Sequence, residues 1–130
     1  MPNHRSVDKM SKKWYETAQN ILDPGDQILK TYPLKMNGKY GWLIISSSRL
    51  LFLHETGFIQ KNYSLIFDKK REHIKQVHRE GIYDLSIIDN VGNVSKCSFE
   101  LPSEIIHTYL GKWLDTSIPM PENKSTIIHA

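Results

Sequence analysis

The stretch GKYGWLIISSSRLLFLHETGF, Gly38–Phe58, holds the densest apolar run in the chain, and Ser-Ser-Ser-Arg divides it. Taken as one element, Trp42–Leu53 would be a buried helix; taken as two, it is a hairpin. Two features favour the hairpin. β-Branched and aromatic residues crowd the run, as they do in strands. Serine hydroxyls also bond the backbone locally and reverse it. The pattern therefore predicts strands at Tyr40–Ile45 and Leu50–His54, with Glu55-Thr56-Gly57 ending the second.

Upstream, Asn37-Gly38-Lys39 is a tight-turn signal, because Asn-Gly supplies positive φ angles readily. The extended segment before it, Gln27–Met36, places Ile28, Tyr32, Leu34 and Met36 on one face. Pro33 cannot donate to a ladder and predicts an edge or a bulge there. Asp23-Pro-Gly-Asp26 terminates a helix expected over Ser6–Leu22, where Met10, Trp14, Ala18, Ile21 and Leu22 fall at helical spacing. Downstream, strands are expected at Tyr63–Phe67, His73–Val77, Ile82–Ile88 and Val94–Leu101, separated by DKKRE, REG and DNVGN. Tyr83, Leu85 and Ile87 alternate on one side of their strand, as do Cys97, Phe99 and Leu101 of theirs. From Pro102 or Ser103 the period turns helical, with Ile105/Ile106, Tyr109/Leu110 and Trp113/Leu114 in one stripe.

These elements predict a mainly β fold, a small bent antiparallel sandwich or barrel of about seven strands. A C-terminal helix caps one open end of its interior, and an N-terminal helix is added. Residues 1–22 form an N-terminal segment, 23–116 the domain, and 117–130 a mobile tail.

At 130 residues the chain has the size of one domain, and its 39% hydrophobic, 24% charged composition is that of a folded protein. A net charge of +3 falls short of a dedicated nucleic-acid binder, so nucleic acid is an unlikely partner on this reading. Cys97 is the sole cysteine, which excludes an intrachain disulfide and points to a reducing compartment. The N-terminus lacks an apolar signal core, and no run reaches the ~18 apolar residues of a membrane span. The cytoplasm is the expected location, with docking at the membrane periphery as one form of it.

The order of these pieces resembles the pleckstrin-homology (PH) superfold, and within it the GRAM-like and bacterial or archaeal PH-like branch. Gly25-Asp26 before Ile28 is similar to the family's Gly-Glu ahead of its first strand. Gly41, Leu43, Ile45, Ser46, Arg49, Leu50 and Phe52 line up with its second hairpin, where Ser47 replaces the usual Asn. Ile74 and Val77, Gly92, Phe99 and the closing helix complete a likeness running over roughly Leu22–Leu114. The resemblance implies a non-catalytic binding or adaptor module, without cofactor, for a protein partner or an anionic phospholipid surface.

PH domains that bind phosphoinositides carry basic residues around the first hairpin. Here that region offers Lys35 and Lys39 but no Arg-x-Arg. A second basic cluster, Lys69, Lys70 and Arg71 with Lys75 nearby, suits weak salt-sensitive docking, since each cation near an anionic leaflet contributes ~1 kcal/mol. Asp68 and Glu72 bracket it, and a solvated turn explains the same residues. Two alternatives stand beside the module: a self-assembling subunit pairing through sheet edges, and a domain touching nucleic acid through Tyr32, Tyr40 and Trp42. The serines lack a nucleophile elbow, and the histidines lack metal-binding spacing, so no enzymatic activity is expected.

Overall fold

The computed structural model describes residues 13–115; Ser6–Lys12 of the expected first helix and the expected tail, 117–130, lie outside that range. The elements are α1 (Lys13–Ile21), β1 (Ile28–Met36), β2 (Lys39–Ser46), β3 (Arg49–Thr56) and β4 (Asn62–Lys70). A 3-10 turn (Arg71–His73) then leads to β5 (Ile74–Arg79), β6 (Asp84–Asp89), β7 (Val94–Phe99) and α2 (Ser103–Leu114). The seven strands form one open antiparallel sheet in the order β4-β3-β2-β1-β7-β6-β5. The bent sheet with a capping helix and an added first helix is the architecture expected, with an open sheet where a closed barrel was an option.

The apolar run is a hairpin, as its composition requires: Trp42 to Ile45 pair with Leu53 to Leu50 across β2 and β3. Its apolar residues run on without alternating because both faces of these strands are covered. Leu43, Ile45, Leu50 and Phe52 face the main core. Ile44, Leu51 and Leu53 face the opposite side, where Trp14 and Ala18 of α1 and Leu22 just after it cover them. Trp14 stacks on Trp42 at 4.0 Å between ring centroids and 10° between planes.

β1 is an internal strand, which corrects one expectation from Pro33. The Asn37 N–H donates to the Lys96 carbonyl at 2.7 Å, so by alternation the Pro33 nitrogen also faces β7. The β7 ladder spans Leu34–Met36, and Pro33 therefore stands just past it, where a missing N–H breaks no bond. A bulge between Ile28 and Lys30 shifts the register. It turns Ile28 to the α1 side while Leu29 joins the main core, so Ile28 does not share a face with Tyr32, Leu34 and Met36.

Other boundaries move by a few residues. DKKRE is not a turn throughout: β4 runs through Lys70, and the reversal is the 3-10 segment that takes His73 out of β5. Ile82 and Tyr83 lie in the β5–β6 turn, and Leu101 lies past β7 and is exposed, so neither Tyr83 nor Leu101 joins its expected alternating face.

α2 closes one end of the sheet. Its first residue is pinned to the β5–β6 turn, with the Ser103 N–H donating to the Ile82 carbonyl and the Ser103 hydroxyl to that of Gly81. Ile106, Leu110 and Trp113 are fully buried in the core. At its far end the Trp113 Nε1–H donates to the Ser46 carbonyl at 2.8 Å. The Ser46 hydroxyl in turn accepts from the Ser48 and Arg49 N–H groups at 3.2 and 2.9 Å, closing the Ser47–Ser48 turn. The Ser48 hydroxyl donates to Asp26 Oδ2 at 2.7 Å, and the Ser47 N–H to the Gln27 carbonyl at 2.9 Å. The serines thus tie the Asp23–Asp26 segment, the hairpin and the closing helix into one joint.

A second joint lies at the β6–β7 turn. Buried Asp89 accepts from the Val91 and Asn93 N–H groups, from the Asn93 amide, and from Lys69 at 3.1 Å. Burial pushes its carboxyl up, but the Asn93, Lys69 and Val91 donors outweigh that and hold it well below the usual carboxylate range.

Two outcomes follow for stability. Trp113→Phe keeps an aromatic ring but removes the donor to Ser46 and part of the buried volume, and urea denaturation should show a loss of about 2–4 kcal/mol. A folded carboxyl held low stabilises the fold above its ordinary value of 3.8, and that contribution is lost as pH falls below it. Asp89→Asn should therefore be less stable than the parent at pH 7 and flatter in its acid dependence below about pH 4; equal acid curves would dismiss this role.

Candidate functional site

The chain direction sorts the loops onto two ends. β1 and β3 run the same way, so the Asn37–Gly38 turn and the Gly57–Lys61 loop share one end, opposite the Ser47–Ser48 turn and Trp113. The six basic residues expected to bind are split between these ends and form two groups.

Lys69, Lys70, Arg71 and Lys75 lie towards the closed end. Lys69 is paired with Asp89. Arg71 donates through Nη1 to the Trp113 carbonyl at 3.2 Å, with its guanidinium carbon 5.8 Å from the centroid of the Trp113 ring. Both therefore hold the closing helix and the corner in place. Lys70 and Lys75 are exposed, and Asp68 is paired with Arg49.

Lys35 and Lys39 lie at the open end, both exposed. Asn37 (φ 51°) and Gly38 (φ 85°) make the tight turn between their strands. The Lys96 N–H donates to Asn37 Oδ1 at 2.9 Å, which brings Lys96, a residue missed in the sequence, beside the hairpin. Lys35 and Lys96 line a shallow groove of about 310 Å³ with Glu80, Asp84, Ser86 and Ser98. Its two carboxylates oppose its two ammonium groups, so the groove itself is no simple anion pocket.

The β2–β3 register, carried two residues past Gly41↔His54, sets Lys39 opposite Thr56. There the loop after β3 turns out into solvent. Gly57 (φ 97°) adopts the left-handed conformation that permits this turn. Phe58 and Ile59 at its tip are 95% and 96% exposed. Lys61 pairs with Glu55 at 3.2 Å, and Lys13 of α1 donates to the Lys61 carbonyl at 2.8 Å. The acids here are engaged: Glu55 accepts from the Tyr63 hydroxyl and Glu100 from that of Tyr40, each at 3.0 Å. Burial and the Glu55 bond push the Tyr63 phenol up to about 12. Sequence reasoning passed over Phe58 and Ile59; the signal was two adjacent large apolar residues directly after a strand-ending glycine.

A larger hollow of about 600 Å³ lies between α1 and the start of β1, beside Tyr15, Gln19, Pro24 and Asp26. Asp26 Oδ2 serves the serine joint, while its Oδ1 is buried with no hydrogen-bond partner among the described residues. Of the aromatic residues that could stack on nucleic acid, Tyr32 is buried in the core and Trp42 is occupied by Trp14. Cys97 is buried, and burial pushes its thiol up to about 12. Among the described residues, no helix is long and apolar enough to cross a membrane.

No family model and no curated protein matches this chain. Among solved structures, the C-terminal domain of an unknown protein from Leishmania infantum aligns at a TM-score of 0.57 and 14% identity, covering 84% of this chain and 99% of that one. The N-terminally truncated linker-DH/PH domains of p115-RhoGEF align at a TM-score of 0.58 and 8% identity. That match covers 82% of this chain and 34% of the other, so the chain spans about a third of its length. Likenesses at such identities bear on fold alone. Joined to the strand order and the closing helix, they give the chain a PH-like fold.

Proposed function

We propose that the chain is a non-catalytic PH-like docking module and that its open end faces a negatively charged surface. The observation that carries this reading is the contrast between the two ends. At the closed end Lys69 and Arg71 hold the fold together. At the open end Lys35 and Lys39 are exposed on a rigid hairpin, with Lys13, Lys61 and Lys96 around them. Near an anionic leaflet each such cation contributes ~1 kcal/mol, and a fixed fold presents them together.

A self-associating unit is the second reading, favoured by the edge strand β4, where Leu65 and Ile66 are exposed. Light scattering that stays monomeric across a wide concentration range removes it.

Sedimentation with phosphatidylserine-containing vesicles tests the docking reading. Binding should exceed that to phosphatidylcholine alone and weaken steeply with salt. Reversing Lys35 and Lys39 to Glu should lower it by roughly tenfold or more, while Lys70→Glu at the other end should change it little. Equal binding to neutral and anionic vesicles, or an unaffected double reversal, would refute the reading.

A further inference from the structure

Phe58 and Ile59 are the most exposed large apolar side chains among the described residues, ahead of Val91 and Ile82. Most residues of that class are buried in one of two clusters, whereas these adjacent two are 95% and 96% exposed at the summit of one loop. Nothing among the described residues covers them there. The loop is short, its strands are in register up to Thr56↔Asn62, and Gly57 directs the chain outward. They form a projecting knob, and a knob suits a medium that opens around it. A lipid headgroup layer does so, whereas a protein partner would need a matching cleft.

The surroundings of the knob select the lipid. The β2–β3 register, continued two residues past Gly41↔His54, brings Lys39 to the level of Thr56 at its base, Lys61 is within the loop, and the Lys13 ammonium is bonded to the Lys61 carbonyl. Glu55 pairs with Lys61 at 3.2 Å and offsets its charge, so Lys13 and Lys39 carry the positive charge of the collar. An apolar tip above a collar of lysines matches the order of an anionic bilayer, hydrocarbon beneath negative headgroups. Tyr40, exposed next to Lys39 with its hydroxyl on Glu100, adds an amphipathic ring at the level of the collar.

We infer that the Phe58–Ile59 loop inserts into the interface of an anionic membrane while Lys13 and Lys39 engage the headgroups around it. The inference rests on the docking reading above and adds a hydrophobic contact to it, so binding has one component that salt weakens and one that it does not.

The test uses the full chain. Because Cys97 is buried, an environment-sensitive fluorophore can be attached selectively at Phe58→Cys, with Lys70→Cys as the control at the opposite end. On phosphatidylserine-containing vesicles the Phe58 probe should shift to the blue and be quenched by nitroxide-labelled lipid, and the Lys70 probe should do neither. Replacing Phe58 and Ile59 together with Ser should lower vesicle affinity by roughly tenfold or more, and both positions are exposed enough to leave the fold intact. A double-serine variant that binds like the parent, with the Phe58 probe remaining in water, overturns the insertion while leaving electrostatic docking in place. A parent chain that binds no anionic vesicle overturns both. A blue shift driven by protein concentration without lipid overturns the insertion in favour of a second copy as the partner.

Discussion

The hydrogen bond from the Trp113 indole to the Ser46 carbonyl joins the last element of the fold to its central hairpin. The closing helix is held at both ends, by Ser103 on the β5–β6 turn and by Trp113 on the β2–β3 turn. Between these points Ile106 and Leu110 fill the interior. Without the indole bond the far end of the helix would lose its direct tie to the hairpin and lean more on apolar contact, which fixes position poorly because it has no direction. Arg71 reinforces the same place from the opposite side, over the ring and on the Trp113 carbonyl. The hub therefore belongs to stability, and the other end of the sheet is left to present side chains.

That division explains why a charge run is a poor guide to a site. Lys69-Lys70-Arg71 is the densest run of cations among the described residues, yet two of its members have internal work, on Asp89 and on Trp113. Lys35 and Lys39 make a thinner signal in the chain, but the Asn37–Gly38 turn sets them on one edge with Lys96 close by.

Much of the architecture was legible because it rests on local chemistry. Asn37-Gly38, the serine turn, the closing stripe of Ile106, Leu110 and Trp113, and the strand periods are short-range patterns, and the structure follows them. What escaped was non-local. The Leu29 bulge moved Ile28 to the other face, and no local residue type announces it. Pro33 suggested an edge, whereas its place is set by where a strand sixty residues later stops pairing. The candidate site at the open end was half visible: Lys35 and Lys39 were legible beside the Asn37–Gly38 turn, while Phe58 and Ile59, just past Gly57, were passed over. Only the sheet's three-dimensional course shows that they point away from it.

The described part of α1, Lys13–Ile21, packs on the outer face of β2 and β3, and helices in proteins draw most of their stability from such packing. Its order comes from the outer face of β2 and β3, and that face is shielded by the helix in return. α1 can detach from this face at lower free energy than the whole sheet unravels. Detachment would separate the stacked Trp14 and Trp42 rings and uncover Ile44, Leu51 and Leu53 together. The indole pair is thus a native optical gauge of whether this face is clothed or bare. It reads the state most exposed to unwanted association long before the core itself gives way.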